Sequence, residues 1–215
     1  MERQKLFNVL HYYYESCTLK EVERTGWKLW NVSRDKRIES IPEHVYGTQH
    51  LALAIFSEFD LDIDIYKVIT MLSLHESEEI IIGDKTEFDG ISEADRRTMG
   101  KAAVDETFSK LRKKQFFISI INEFNQRKTP ESIFAYLCDK MECNLQAKKY
   151  SDEGRCSLAT ASSLLLEDAR IQEIISNGAQ TAADVFIDFD AHRYVGNDIF
   201  SDMIQFLKNY STENN

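Results

Sequence analysis

The chain has 215 residues, 43% of them hydrophobic, so it is long and apolar enough to build one sizeable core. Its formal net charge is −10, from 36 acidic and 26 basic residues, which argues against the basic footprint that binding to a nucleic-acid polymer requires. With only 2 prolines and 8 glycines, the composition favours helices over a turn-rich β fold.

The first forty residues predict one helix followed by an irregular segment. Residues 2–16 have the pattern of a short, aromatic-rich helix. Its large apolar side chains are expected to face a core: Phe7, Leu10, Tyr13 and Tyr14. Residues 20–41 are mixed in composition and are expected to be irregular.

The next helix is predicted from its start signals. Pro42 suits the first turn of a helix, where its missing N–H needs no partner, and Ser40 is a suitable N-cap. The helix is expected to run to about residue 59. His44 shares a face with three apolar residues: Leu51, Ile55 and Phe59. An imidazole therefore lies on the face that should be buried.

A further helix is predicted from about residue 64 to 82. Gly83 follows it as a normal C-terminal stop. Its stripe has steps of four, three and four residues: Val68, Leu72, His75 and Glu79. Two ionisable groups thus lie on a face that should be buried.

The rest of the chain predicts more helices. Ser92 is expected to cap a long basic helix, and Pro130 to begin a helix over 131–150. The latter carries a polar stripe beside its apolar one: Asp139, Glu142 and Gln146. Residues 155–211 predict two or three helices packed on the rest through Phe186, Phe189, Phe200, Ile204 and Phe206, and residues 212–215 are expected to fray. The prediction is an all-α fold in a single domain over 1–215.

Four residues on these helices could bind one divalent metal ion. Together they offer two imidazoles and two carboxylates: His44, His75, Glu76 and Asp139. Such a mixed site suits Mn, Co, Ni, Fe, Zn or Mg, and the side chains do not choose among them. Glu79 lies one turn after His75 and could act as a general acid or base. The alternative for each histidine is a hydrogen-bonded place in the core.

Five stretches, in this order, resemble the motifs of the HD-domain metal-dependent phosphohydrolases, and most closely those of the 5′-deoxynucleotidase-like subgroup. They are Arg24-Thr25-Gly26-Trp27, Glu39-Ser40-Ile41-Pro42-Glu43-His44, His75-Glu76-Ser77-Glu78-Glu79-Ile80-Ile81-Ile82-Gly83-Asp84, Asp89-Gly90-Ile91-Ser92, and Asp139-Lys140-Met141-Glu142 with Leu145-Gln146-Ala147. Each motif alone is weak, but five in register are specific. The resemblance covers about residues 20–150, and residues 155–215 carry no motif.

The resemblance implies an HD-domain helical bundle and a role for each site residue. It assigns the metal to His44, His75, Glu76 and Asp139. Glu79 would assist attack on the phosphate or protonate the leaving oxygen.

The resemblance also implies how a nucleotide would be held. Arg24 would bind the phosphate, for which a planar guanidinium is well suited. Asp84 would contact the sugar. Trp27 would pack against the sugar and help to exclude a ribose 2′-hydroxyl, with simple core packing as the alternative.

One residue departs from the family pattern, because Glu76 stands where the eponymous aspartate is expected. Glutamate keeps both oxygens but is longer by one methylene, so metal preference and rate are in question. We therefore keep open a catalytically impaired protein that binds nucleotide or metal in a regulatory role. An all-α interaction module without a metal is a further alternative.

The expected activity is cleavage of a phosphomonoester, with a nucleoside or deoxynucleoside 5′-monophosphate as the favoured substrate. Another phosphoester within the same enzyme class is left open. We expect a cytoplasmic protein, because no C-x-x-C pair or signal peptide is present, and no contact with nucleic-acid polymers or membranes. A homodimer is left open, with the aromatic-rich C-terminal helices as a candidate surface.

Overall fold

The computed structural model describes residues 2–211, so the fraying expected at 212–215 lies outside the described residues. Within this range the regular structure is helical, with an isolated bridge between Glu23 and Ser40. The all-α prediction is confirmed. The α-helices of the described range are α1 Glu2–Cys17, α2 Thr25–Leu29, α3 Ile41–Glu58, α4 Ile65–Leu74, α5 Glu79–Ile82, α6 Glu93–Thr107, α7 Lys114–Gln126, α8 Pro130–Asp152, α9 Ser163–Leu166, α10 Ala169–Ser176, α11 Ala182–Asp190 and α12 Asp198–Asn209.

The chain divides into two compact units. The first comprises Met1–Arg24 and Ser40–Tyr136, and the second comprises Thr25–Glu39 and Leu137–Asn215. Helix α8 begins in the first unit and ends in the second. The expectation of a single domain over 1–215 stays a prediction. Among residues 2–211, the structure contains no helix that combines the length and apolar character needed to cross a bilayer.

Helix α1 forms as predicted, but the side that it buries was predicted wrongly. None of its residues is buried, and Phe7, Leu10, Tyr13 and Tyr14 are all more than half exposed. The physical reason is that periodicity shows where a helix is apolar but not which side meets the protein. Here the polar side of the helix makes the contact.

Helix α3 begins as the sequence predicts. The Ser40 backbone N–H and hydroxyl both donate to Glu43 Oε2 at 2.7 Å, which closes the capping box, and Pro42 lies in the first turn. His44 is fully buried one turn into the helix. The cap therefore fixes the point at which the first candidate ligand enters the core.

The predicted helix over 64–82 is interrupted. It consists of α4 and α5, separated by the turn His75–Glu78, in which the Ser77 N–H donates to Leu74 O (2.9 Å) and the Glu79 N–H to Glu76 O (3.1 Å). These are three-residue steps, which tighten the chain relative to an α-helix. Gly83 ends α5 with φ +68°, a conformation that glycine adopts without strain.

Within the first unit, α4 packs against α3 and α7, and α5 packs against α6. A buried apolar cluster lies between α4, α6 and α7: Leu74, Val104, Phe108 and Ile121. The turn at residues 75–78 begins directly after Leu74, which belongs to this cluster. The packed end of α4 therefore fixes the position of His75.

The second unit has four α-helices after residue 155, where two or three were predicted. Phe200 and Ile204 are buried as expected, but Phe206 is 70% exposed, so its predicted packing is wrong. On α12 these residues lie four and two positions apart, and a two-residue step turns the side chain of Phe206 away from the buried face.

Candidate metal centre

Two histidines and one carboxylate of the first unit converge. His44 Nε2 lies 3.4 Å from His75 Nε2, and Glu76 Oε1 lies 3.5 Å from the former and 3.4 Å from the latter. The packing of α3 against α4 brings the two imidazoles together, with ring centroids 5.4 Å apart and planes tilted by 59°, and the turn after α4 places Glu76 beside both. Both imidazoles are buried.

The tautomer of His75 is fixed by the backbone. Its Nδ1 lies 2.8 Å from Leu72 O, and because a carbonyl only accepts, Nδ1 carries the proton and donates it. In the neutral ring Nε2 then carries the lone pair, and this atom lies beside His44 and Glu76. A backbone carbonyl on the far nitrogen is the arrangement that orients metal-binding histidines in proteins.

The donor set fits a divalent cation. Two imidazole nitrogens and a carboxylate oxygen, the atom types that such ions take as ligands, approach one another to 3.4–3.5 Å in a buried place. Ligand atoms at about 2.0–2.2 Å from a common ion lie roughly 3.3–3.6 Å from one another in a tetrahedral site and roughly 2.8–3.1 Å in an octahedral one. The observed separations match the tetrahedral range.

Glu76 reaches this cluster in spite of its extra methylene. After Leu74 the chain tightens into three-residue turns, and from this turn Glu76 Oε1 comes within 3.5 Å of both imidazoles. Burial opposes the charged form of Glu76, but the positive charges of His75 and His44 in their protonated forms and of Arg24 outweigh it and hold the pKa of this carboxyl well below its usual range. The residue is therefore a carboxylate with an oxygen beside both rings.

Arg24 also lies at the cluster, with its Nη1 3.2 Å from Glu76 Oε1. The sequence assigned Arg24 to a phosphate and did not foresee this pair. The guanidinium has five N–H groups, so it can contact more than one acceptor at a time. The structure thus places a fixed cation at the edge of the three converging acceptors.

Glu79 lies on α5, at the start of the element that follows the turn. It is buried, and its Oε2 has no hydrogen-bond partner among residues 2–211. Burial raises the pKa of Glu79 well above its usual range, and the negative charges of Glu76 and Asp84 add to the rise. A buried carboxyl that retains its proton is suited to donate it.

Asp84 follows Gly83 directly and interacts with Glu79. The positive φ of Gly83 reverses the chain after α5, so that residue 84 returns toward the first residue of that helix. The two carboxyl groups predicted to serve acid–base chemistry and sugar binding are therefore neighbours.

Two predicted site residues belong to the second unit. Asp139 lies on α8, is buried, and has its Oδ2 2.9 Å from Lys140 Nζ. Trp27 is buried on α2, where its ring packs against Tyr150 and Phe186 at centroid distances of 5.1 and 5.3 Å. This is the core packing that the sequence left open for Trp27, and its contact with a sugar stays a prediction.

Glu39 is a structural partner that the sequence analysis quoted within a motif without giving it a role. Its Oε2 accepts a 2.8 Å hydrogen bond from Trp27 Nε1, and its backbone N–H donates to the Tyr150 hydroxyl at 2.9 Å. The signal in the sequence was an acidic residue next to an N-cap, but no periodicity connects residue 39 with residue 27 or residue 150.

We expect Trp27→Phe to lower the free energy of unfolding by about 2–4 kcal/mol, since it removes buried ring area and a hydrogen bond to a buried carboxylate. The measurement is the urea midpoint, followed by circular dichroism. Trp30→Phe is the matched control, because Trp30 is equally buried against Phe186 but no hydrogen bond of its indole is seen among the described residues. A loss as large for Trp30→Phe would show that the Glu39 bond contributes nothing.

With this geometry established, comparison with known proteins gives consistent results. A family model described as HD domain matches residues 17–180. The chain is 27% identical over 152 residues to the 5′-deoxynucleotidase HDDC2 of Danio rerio, which covers 69% of this chain and 72% of that protein. It is 29% identical over 154 residues to the 5′-deoxynucleotidase HDDC2 of Dictyostelium discoideum, with 68% and 79% covered.

Solved structures show the same fold. A crystal structure described as a predicted metal-dependent phosphohydrolase from Magnetospirillum magnetotacticum MS-1 superposes with a TM-score of 0.67 at 20% identity, over 96% of this chain and 94% of that chain. PH0347 protein from Pyrococcus horikoshii OT3 superposes with a TM-score of 0.59 at 22% identity, over 92% and 99%. At such identities the likeness concerns the fold.

Proposed function

This chain belongs to the HD-domain family and is a metal-dependent phosphohydrolase, and from that premise we propose that it releases phosphate from nucleoside 5′-monophosphates, with the deoxy forms preferred. The observation that carries the proposal is the convergence of His44, His75 and Glu76 beside the guanidinium of Arg24. The names of the two relatives support the choice of substrate.

We propose that the ion is held by His44, His75, Glu76 and Asp139. The first three supply acceptors that already face one another, and Asp139 is added from its motif alone. A divalent ion in such a site lowers the pKa of a water molecule and polarises a phosphoryl oxygen. Its identity among Mn, Co, Ni, Fe, Zn and Mg stays open.

The neighbouring side chains then have distinct tasks. Arg24, which already lies at the cluster, binds the phosphate with its planar guanidinium. Glu79, whose buried carboxyl retains a proton, donates it to the sugar oxygen that leaves. The bond broken is the one between that oxygen and phosphorus, and the oxygen of water replaces it.

For the sugar, we propose Asp84 as a hydrogen-bond acceptor, since it lies next to Glu79 and follows the turn at Gly83. Trp27 is proposed to limit the space at the 2′ position. Its tight packing against Tyr150 and Phe186 supports a rigid wall. A rigid wall would disfavour the additional hydroxyl of a ribonucleotide.

We also propose a small nucleotide, not a polymer, as the substrate, and the cytoplasm as the compartment, away from membranes. The net charge of −10 supports the first point. No disulfide joins Cys17, Cys138, Cys143 or Cys156 within residues 2–211, which supports a reducing compartment.

The experiment is phosphate release from a panel of ribo- and deoxynucleoside 5′-monophosphates, with Mn, Co, Ni, Fe, Zn and Mg in turn. We expect metal-dependent release that is fastest with the deoxy forms. Glu76→Asp is assayed beside the wild type and should release phosphate no faster, because Glu76 already reaches both imidazoles. If the wild type released no phosphate and Glu76→Asp did, the result would favour the regulatory alternative.

A further inference from the structure

Helices α6 and α7 border a cleft that the proposed function does not use. It has a volume of about 680 Å³, which lies within the range of pockets that hold small molecules. None of the described residues proposed to bind metal, phosphate or sugar lines it. Polar and apolar atoms share its surface, so the cleft can contact both a charged group and an apolar body.

Each of the two helices turns one face to the cleft. On α6 the lining residues Arg97, Lys101 and Val104 follow one another at steps of four and three, and on α7 Ile118 and Ile121 are three apart. Side chains at these spacings lie on one face of an α-helix. Val104 and Ile121 are buried and belong to the apolar cluster between α4, α6 and α7. The apolar part of the lining is therefore the edge of the core.

The lining is cationic, although the chain is acidic. It contains five basic side chains against three acidic ones, whereas the whole chain has a net charge of −10. The basic residues are Arg96, Arg97, Lys101, Arg127 and Lys128. One sign of charge concentrated in a concave place raises the local concentration of ions of the opposite sign. The cleft therefore favours an anion.

The acidic residues of the lining leave most of this charge in place. Glu93 contacts Arg97 at 3.4 Å. No ion pair of Lys101 or Lys128 is seen among residues 2–211, and both side chains are exposed. Two ammonium groups can thus turn to an incoming anion without breaking an existing ion pair.

Arg96 provides a second, independent observation. Its Nη2 donates to Thr86 O at 2.6 Å, whereas its Nε is buried and has no hydrogen-bond partner among residues 2–211. A buried N–H without an acceptor is unfavourable, and on a cationic group an anionic oxygen satisfies it most strongly. Because Thr86 follows Asp84 by two residues, Arg96 also joins the cleft to the loop that contains Asp84.

We propose that this cleft is a second ligand site, which binds a small organic phosphate with a planar or apolar body. Arg96 and the two lysines bind the phosphate through charge-assisted hydrogen bonds. Val104 and Ile121 contact the body, and the amides of Asn122 and Asn125 offer donors and acceptors to its polar edge. Inorganic phosphate uses the cations alone and therefore binds more weakly.

The test is a titration of the metal-loaded full chain, followed through the backbone amide signals in nitrogen–proton correlation spectra. The probe is adenosine 5′-methylenephosphonate, in which carbon replaces the oxygen that would leave, so turnover cannot consume it. We expect saturable shifts of amides within 96–105 and 118–128 and at residue 86, in addition to any shifts at the metal centre. Inorganic phosphate should bind there at least about 10-fold more weakly, and adenosine should leave these amides unchanged.

A charge reversal in the cleft separates specific binding from a general effect of charge. Lys101→Glu should weaken binding in the cleft at least about 10-fold and leave the shifts at the metal centre as they are. Lys5→Glu is the matched control, because it makes the same change of charge at an exposed position outside the lining. It should leave both sets of shifts unchanged. The remaining signals report whether each variant keeps the fold.

Three outcomes would overturn the proposal. The first is the absence of saturable shifts in α6 and α7, and if shifts then appeared at the metal centre alone, the proposed function would stand without this site. The second is an equal weakening by Lys101→Glu and Lys5→Glu. The third is inorganic phosphate that binds as tightly as the phosphonate, since the apolar lining would then have no part in recognition.

Discussion

The His44→Ala variant is expected to lose its metal and to release phosphate at least about 1,000-fold more slowly than the wild type, since a bound ion contributes several kcal/mol to such a reaction. His44 is fully buried and lies 3.4–3.5 Å from two other proposed ligand atoms, so no other side chain can take its place without moving α3. The measurements are elemental analysis of the purified protein and phosphate release.

His50→Ala is the control for this experiment. His50 lies on the same helix but is exposed and stacks on Tyr46, away from the converging acceptors. It should keep both metal and activity. Stoichiometric metal and normal turnover in His44→Ala would remove this histidine from the site, and circular dichroism of both variants separates loss of metal from loss of fold.

Glu79→Gln is expected to reduce kcat by about 100- to 10,000-fold while the metal content stays that of the wild type. Glutamine has nearly the same shape, so it preserves packing but has no carboxyl proton to give to the leaving oxygen. A variant that lost metal as well would show that Glu79 holds the ion and does not act as the acid.

Glu78→Gln serves as the neighbour control. The Glu78 carboxylate lies against α6, where a side chain at Gly100 would clash with it, so this residue packs on a neighbouring helix. Its replacement should change kcat less than about 10-fold, well below the effect of a general acid. A similar loss in both variants would mean that any change in the 75–79 segment disables the enzyme, and the assignment to Glu79 would fail.

Local signals in the sequence predicted the boundaries of several elements. Ser40, Pro42 and Glu43 mark the start of α3, and Gly83 marks the end of α5, because caps depend on neighbouring residues alone. The buried position of His75 also followed from its place on the apolar stripe of α4. These features act within one or two turns of helix, where sequence and geometry are directly linked.

The break between α4 and α5 could not be predicted in this way. Val68, Leu72, His75 and Glu79 keep a helical spacing straight through it, so the pattern indicated one continuous helix. What ends α4 is packing against other helices and the three-residue turns at Ser77 and Glu79, and neither is encoded in periodicity. The same limitation explains α1, whose apolar side was recognised but assigned to the wrong surroundings.

The contacts between distant parts of the sequence within the second unit could not be predicted from the sequence either. Arg155, in a region without any motif, donates from Nη2 to the carbonyl oxygens of Ser33, Lys36 and Arg37. Its guanidinium also stacks on Tyr150 at 4.6 Å. These contacts join residues far apart in the sequence and depend on the tertiary fold, so no local sequence pattern predicts them.

The interrupted helix sets stability against activity at residues 75–78. Any change that favours an unbroken helix there, such as Ser77→Ala with its higher helix propensity, would strengthen the local backbone. It would also change the direction of Glu76 relative to the two imidazoles, because a regular helix turns about 100° per residue and the tighter turn about 120°. A variant at this turn with a higher melting temperature would then have a lower catalytic rate, so the sequence with the highest helix propensity here is not the most active one.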